Sequence, residues 1–189
     1  MAFPGTDSEE VLRAVASEEV HLASLTITEK GYPRALTGEL DTLNPAVAAD
    51  VAALAVELKG PSFAGPARTS LGLLARGLAR RYAVSGAPFA VVCCDNPLSN
   101  GQVTRGLVYA MARAARADGM LEWLQNSVTF PSTMVDRIVP ATTEANRLEA
   151  ERILGLRDEG LVVAEPFGQW VIEDSFPGPR PRWERAGRP

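Results

Sequence analysis

Apolar positions along the chain change period from segment to segment, and that change sketches an alternation of helices and strands. Val11, Leu12, Val15 and Ala16 stand at helical spacing within 8–19, with Thr6, Asp7 or Ser8 available as a cap. Residues 20–28 are short, β-branched and largely apolar, and predict a strand that stops where Gly31 and Pro33 break regular structure. Asn44-Pro45 is an N-cap followed by a first helical residue, so the Ala/Val/Leu-rich run to Lys59 predicts a helix closed by Gly60. A further helix is predicted from Thr69 or Ser70 to Arg81, with Leu71, Leu74 and Leu78 on one face.

Residues 89–94 are apolar without alternation, the pattern of a strand covered on both faces of a parallel sheet. Asn100-Gly101 opens a helix carrying Val103, Leu107, Val108 and Met111. Then follow a short helix at 120–125, extended segments at 128–130 and 134–139, a helix over 143–154 stopped by Gly155, and strands at 161–165 and 169–172. The Pro/Arg-rich residues 176–189 are expected to be loosely ordered. Strand, turn and helix repeat, which favours a right-handed βαβ topology. Trp123 and Trp170 are expected in the core.

Composition narrows the function. A hydrophobic fraction of 46% with 22% charged residues over 189 positions is that of a packed domain. A net charge of −4, with lysine only at Lys30 and Lys59, argues against a nucleic-acid partner. The start has no basic region followed by an apolar run, and no apolar stretch is long enough to span a bilayer, so a cytoplasmic location without membrane association is expected. Cys93 and Cys94 are adjacent, and on a strand they point to opposite faces, so neither a disulfide nor a metal site is expected.

In open α/β sheets, ligands collect beyond the carboxyl ends of the strands, which directs attention to Thr28, Glu29 and Lys30 after the first strand and to Asp95 and Asn96 after the second. A neutral amide such as Asn96 offers two N–H donors to a carbonyl or alkoxide oxygen, where charge develops during hydride transfer. The alternative is an Asx turn in which Asp95 and Asn96 cap the helix that follows. Lys30 is suited to a cofactor phosphate or a substrate carboxylate, or is simply solvated. The single histidine, His21, is expected at or near the surface.

Four strings occur in order: Ser24-Leu-Thr-Ile-Thr-Glu-Lys-Gly-Tyr32, Cys94-Asp-Asn-Pro-Leu-Ser-Asn-Gly101, Phe130-Pro-Ser-Thr-Met-Val-Asp-Arg-Ile-Val-Pro-Ala-Thr-Thr143 and Ala164-Glu-Pro-Phe-Gly-Gln-Trp-Val-Ile-Glu-Asp174. Together they resemble the middle of the mannitol dehydrogenase family of NAD-dependent polyol and uronate oxidoreductases, which includes fructuronate reductases (mannonate oxidoreductases). The resemblance implies an α/β fold: an incomplete Rossmann-like, mostly parallel sheet flanked by helices, without the first nucleotide-binding unit. Residues 1–175 would form the latter part of that domain, and 176–189 a tail leading to a catalytic domain.

By the same resemblance, Asn96 assists catalysis beside the substrate carbon, and Asp136 lies near the active site, its plain alternative being an ion pair with Arg137 or a backbone turn. Glu29 lies where the family carries a glutamate close to the nicotinamide or the substrate's proton exit, a solvated loop glutamate being its alternative; from their place after the first strand, Thr28 is assigned with Glu29 to the cofactor and Lys30 to the substrate. The implied cofactor is NAD or NADP, the substrate a sugar alcohol or sugar acid, and no metal is required.

The chain departs from the family pattern in two places. Pro97-Leu98 inverts the usual Leu-Pro, and Gly168 stands where the family commonly has Arg. Two family elements have no counterpart: no glycines are spaced as in G-x-G-x-x-G, and no lysine follows Lys59 to serve as the family's base. The chain by itself is therefore expected to be inactive and to pair with the N- and C-terminal portions of such an enzyme. The rival expectation is a non-catalytic interaction or nucleotide-binding module.

Overall fold

Phe89–Cys93 is the central strand of the sheet, and every one of its residues is buried, as its unbroken apolar run requires. In a computed structural model describing residues 4–60, 62–136 and 138–186, the elements run α1 (Pro4–Ala16), β1 (Leu22–Leu25), α2 (Pro45–Glu57), α3 (Ser70–Val84), β2 (Phe89–Cys93), α4 (Asn100–Ala114), α5 (Asp118–Ser127), β3 (Val128–Thr129), β4 (Thr133–Asp136), α6 (Glu144–Leu154) and β5 (Gln169–Ile172). Short 3₁₀ turns occupy Glu29–Gly31 and Trp183–Arg185.

The main sheet has the order β1-β2-β3, with parallel pairing throughout. Leu22 faces Ala90 and Leu25 faces Cys93, so the carboxyl ends of β1 and β2 finish side by side. Helices flank this sheet, and the core joins Leu54, Leu74 and Leu78 to Phe89, Val91, Leu107, Met111 and Leu124. Two compact units are defined: residues 1–133 with 172–189, which hold the parallel sheet, and residues 134–171.

Local signals in the sequence account for the helix ends. The Asn44 side chain accepts from the Ala46 N–H with Pro45 in the first turn, and Thr69 accepts from Gly72 N–H. Thr143 and Asn146 form a reciprocal capping box, and Gly155 ends α6 at φ 72°, a left-handed conformation that favours glycine.

Beneath α3 lies a charged network that hydrophobic periodicity does not reveal. Arg76, wholly buried, makes a two-pronged contact with Glu57 at 3.0 and 2.7 Å. Asp50 accepts from the N–H groups of Arg68 and Thr69, which fixes the entry into α3. The Arg81 guanidinium donates to four carbonyls, those of Val15, Ser17, Ala87 and Pro88, and lies 4.7 Å from the centre of the Phe89 ring.

Several elements differ from expectation. β1 is four residues long rather than spanning 20–28, because among the described residues its ladder partner is the five-residue β2, and beyond Leu25 the Ile27 N–H is taken by the Asp95 side chain. Residues 161–165 form no strand. They share one backbone bond with Ile138, from the Glu165 N–H, and one bond does not make a ladder. The helix expected at 120–125 extends to Asp118–Ser127. Trp123 is in the core, its indole N–H donating to Gly86 O at 2.7 Å. Trp170 is instead 46% exposed, because β5 has no buried face: its burial ranges only from exposed to intermediate. Within the tail, Arg180 bonds Asp174 and Glu184 around the Trp183–Arg185 turn.

Candidate functional site

Parallel pairing brings the loops that follow β1 and β2 together at one edge of the sheet. The last ladder contact is Cys94 N–H to Leu25 O at 2.8 Å. One residue later Asp95 takes over: its Oδ1 accepts from Ile27 N–H at 2.6 Å and its Oδ2 from the Tyr32 hydroxyl at 2.6 Å. Thr28 directly follows Ile27 and Asn96 directly follows Asp95, so this shared carboxylate ties the segment carrying Thr28 to the segment carrying Asn96. Both are exposed, as is Lys30. Glu29 lies in the 3₁₀ turn Glu29–Gly31, with its side chain outside the described residues.

Asn96 is held from behind by a second bracket. The Asn100 side chain, 1% exposed, donates to Asp95 O at 2.6 Å and to Thr133 O at 2.9 Å, and its Oδ1 accepts from Thr133 N–H at 3.0 Å. The Thr133 hydroxyl donates to Cys93 O at 2.6 Å. Residues 131–133 are thereby fastened to the end of β2. Gly101 completes the bracket, because a Cβ there would run into the Phe130 carbonyl. Between the brackets, Pro97-Leu98 leads to Ser99 at φ 53°, the left-handed residue that turns the chain into α4 without a side-chain cap.

Neither Asp95 nor Asn96 caps α4 through its side chain. Asp95 is 7% exposed and belongs to the framework, whereas Asn96 is exposed. Asp136, the last residue of β4, falls in the 134–171 unit, and its side chain lies outside the described residues.

Burial, followed by the bond to the Asp95 carboxylate, pushes the Tyr32 phenol far above its usual range. The phenol donates to Asp95, and the Cys93 thiol lies 2.9 Å from the phenol oxygen and 3.5 Å from Asp95 Oδ2. Burial also raises the Cys94 thiol.

Among the described residues, no group of three or more His, Cys, Asp or Glu side chains could hold a metal ion, and no helix is long and apolar enough to cross a membrane. His21 is exposed. It lines a cleft of about 340 Å³ with Glu18, Pro88 and Arg180 at the amino ends of β1 and β2, opposite the Asn96 edge.

Sequence patterns passed over Tyr32, Asn100 and Thr133. Tyr32 meets Asp95 across 63 residues and Thr133 meets Asn100 across 33, beyond the reach of any local pattern, and only the bond from Asn100 to Asp95 O, five residues apart, is local. The available signal for Tyr32 was a hydroxyl-bearing aromatic in an otherwise polar loop, with Asp95 directly after the other predicted strand, 89–94.

The mannitol dehydrogenase Rossmann domain matches residues 2–185. An uncharacterized oxidoreductase, YdfI, of Escherichia coli is 44% identical over 95% of this chain and 35% of its own length. The D-mannonate oxidoreductase of Escherichia coli is 38% identical over 95% of this chain and 35% of its own. The mannitol 2-dehydrogenase of Pseudomonas fluorescens, solved as a ternary complex with NAD and D-mannitol, superposes with a TM-score of 0.76 at 36% identity, covering 97% of this chain and 35% of that one. The chain thus spans about a third of the length of these relatives. With a parallel sheet, a match over almost all of its residues and relatives of this similarity, the chain belongs to the mannitol dehydrogenase family, within its Rossmann domain.

Proposed function

We propose that this chain forms part of an NAD(P)-dependent dehydrogenase that moves a hydride between a nicotinamide and a carbon of a sugar alcohol or sugar acid. The observation that carries this function is the exposed Asn96 carboxamide, mounted on a buried framework at the carboxyl edge of a parallel sheet. Support comes from the similarity to a mannitol 2-dehydrogenase solved with NAD and D-mannitol.

The polar donors at this edge suit the nicotinamide end of a dinucleotide, and Thr28 and Glu29 would face it. The pyrophosphate is another matter, since none of the chain's glycines form the G-x-G-x-x-G turn that lets a backbone approach it. A bound nicotinamide would supply the acceptor for the hydride leaving the carbinol carbon. As that happens the substrate oxygen gains carbonyl character and gives up its proton. Asn96 would donate a hydrogen bond to this oxygen, stabilising the charge that develops there. Lys30 would face a substrate carboxylate, and Asp136 and Glu29 would support proton movement.

Lys30, Lys59 and His21 are the chain's lysines and histidine, and none of them stands in a string like the family's catalytic base. The proton acceptor and the pyrophosphate contacts are therefore assigned to polypeptide beyond these residues, and the chain alone is expected not to turn over.

The test measures NADH formation from D-mannitol and D-mannonate by the longest polypeptide carrying this chain, with and without Asn96→Ala. A fall in kcat of about 10²–10³-fold with little change in KM is expected for loss of a donor to the reacting oxygen. Unchanged kcat removes Asn96 from the chemistry. If calorimetry with NADH shows tight binding to the 189-residue chain alone, the assignment of the pyrophosphate contacts elsewhere is refuted.

A further inference from the structure

We infer that Tyr32, acting through Asp95, is a positioning residue for the Asn96 site, clamping the loop after β1 onto the loop after β2. This rests on the proposed function only in naming Asn96 as the group being positioned. Ile27 and Tyr32 bracket residues 28–31, and one carboxylate, that of Asp95, holds both of them at 2.6 Å. Both ends of the segment carrying Thr28, Glu29 and Lys30 are thus fixed to the residue that precedes Asn96.

The pair is chemically expensive for a mere core contact. Tyr32 is 6% and Asp95 7% exposed, and a Phe–Leu pair would fill the same space without desolvating a carboxylate. What a Phe–Leu pair lacks is direction. Two charge-assisted hydrogen bonds define where the loop sits, whereas apolar contact lets it slide. The Cys93 thiol lies 2.9 Å from the phenol oxygen, a further polar contact at the same atom.

The test uses Tyr32→Phe, which keeps the ring and deletes one hydroxyl, together with Asp95→Asn. Amide hydrogen exchange on the 189-residue chain should show Ile27 and Gly31 exchanging about tenfold faster in both variants, the effect of one lost buried hydrogen bond, while Val91 and Val92 keep their protection. Unchanged exchange at Ile27, or an equal rise across the whole chain, overturns the clamp. In the active polypeptide, Tyr32→Phe should lower kcat with KM nearly constant, and should cost little more once Asn96→Ala is present. Full additivity with Asn96→Ala overturns the link to Asn96. If the wild-type polypeptide shows no hydride transfer, the proposed function fails and the exchange measurement alone decides the clamp.

Discussion

Asn100→Ala should destabilise the fold far more than its single small side chain suggests. The carboxamide serves three main-chain groups: Asp95 O at 2.6 Å, Thr133 O at 2.9 Å and Thr133 N–H at 3.0 Å. Alanine leaves all three without that partner. The Asp95 bond is buried, and losing it costs about 2 kcal/mol; the Thr133 groups are partly reachable by water and cost about 1 kcal/mol each, giving about 4 kcal/mol in all. That is a large share of the roughly 5–15 kcal/mol that holds a domain together.

In urea, with a slope of roughly 2 kcal/mol per molar, the midpoint followed by far-ultraviolet circular dichroism should fall by about 2 M. Asn100→Asp separates hydrogen bonding from packing: it keeps the shape but sets an oxygen against two carbonyls, and should be at least as damaging at neutral pH. Asn96→Ala, at an exposed position, is the control and should stay within about 0.5 kcal/mol. A loss below about 1 kcal/mol for Asn100→Ala, or a benign Asn100→Asp, would refute the bridging role.

Arg81→Met should cost about 4 kcal/mol, roughly 1 for each of the four carbonyls that lose the guanidinium, while the exposed Arg152→Met should be nearly neutral; similar urea midpoints for the two would contradict the buried role. Under native conditions one cysteine should alkylate, Cys94, because Cys93 is fully buried. Burial raises the Cys94 thiol above its ordinary 9.0, so its rate with iodoacetamide should still be climbing past pH 9; a plateau below that value, or two modified thiols, would count against the structure. Arg80 holds the Glu9 carboxyl below its ordinary 4.5. A depressed folded pKa contributes stability that is present above 4.5 and lost as pH falls through the lower folded value. Glu9→Gln should therefore flatten the acid side of the stability profile and leave its slope near neutrality unchanged, as urea midpoints across that range will show.

Sequence alone determined the elements whose causes are local. The unbroken apolar run over 89–94 specified a strand covered on both faces, which closes one residue earlier at Cys93, Asn44-Pro45 specified where α2 begins, Thr69 or Ser70 bracketed the start of α3, and Gly155 specified where α6 ends. Each depends on residues within one turn of each other, so a linear pattern carries the information. The motif around Asn96 was equally visible, because its residues are neighbours along the chain.

Tertiary structure decided what depends on distant partners. β1 runs only from Leu22 to Leu25, since a strand extends no further than its neighbour pairs with it. Asp95, adjacent in sequence to Asn96, became framework because Ile27 and Tyr32, 68 and 63 residues away, converge on it. Asn100 likewise joins β2 to Thr133 across 33 residues. A polar side chain acquires such a role from whichever donors and acceptors folding delivers to it, and no spacing along the chain records which those will be.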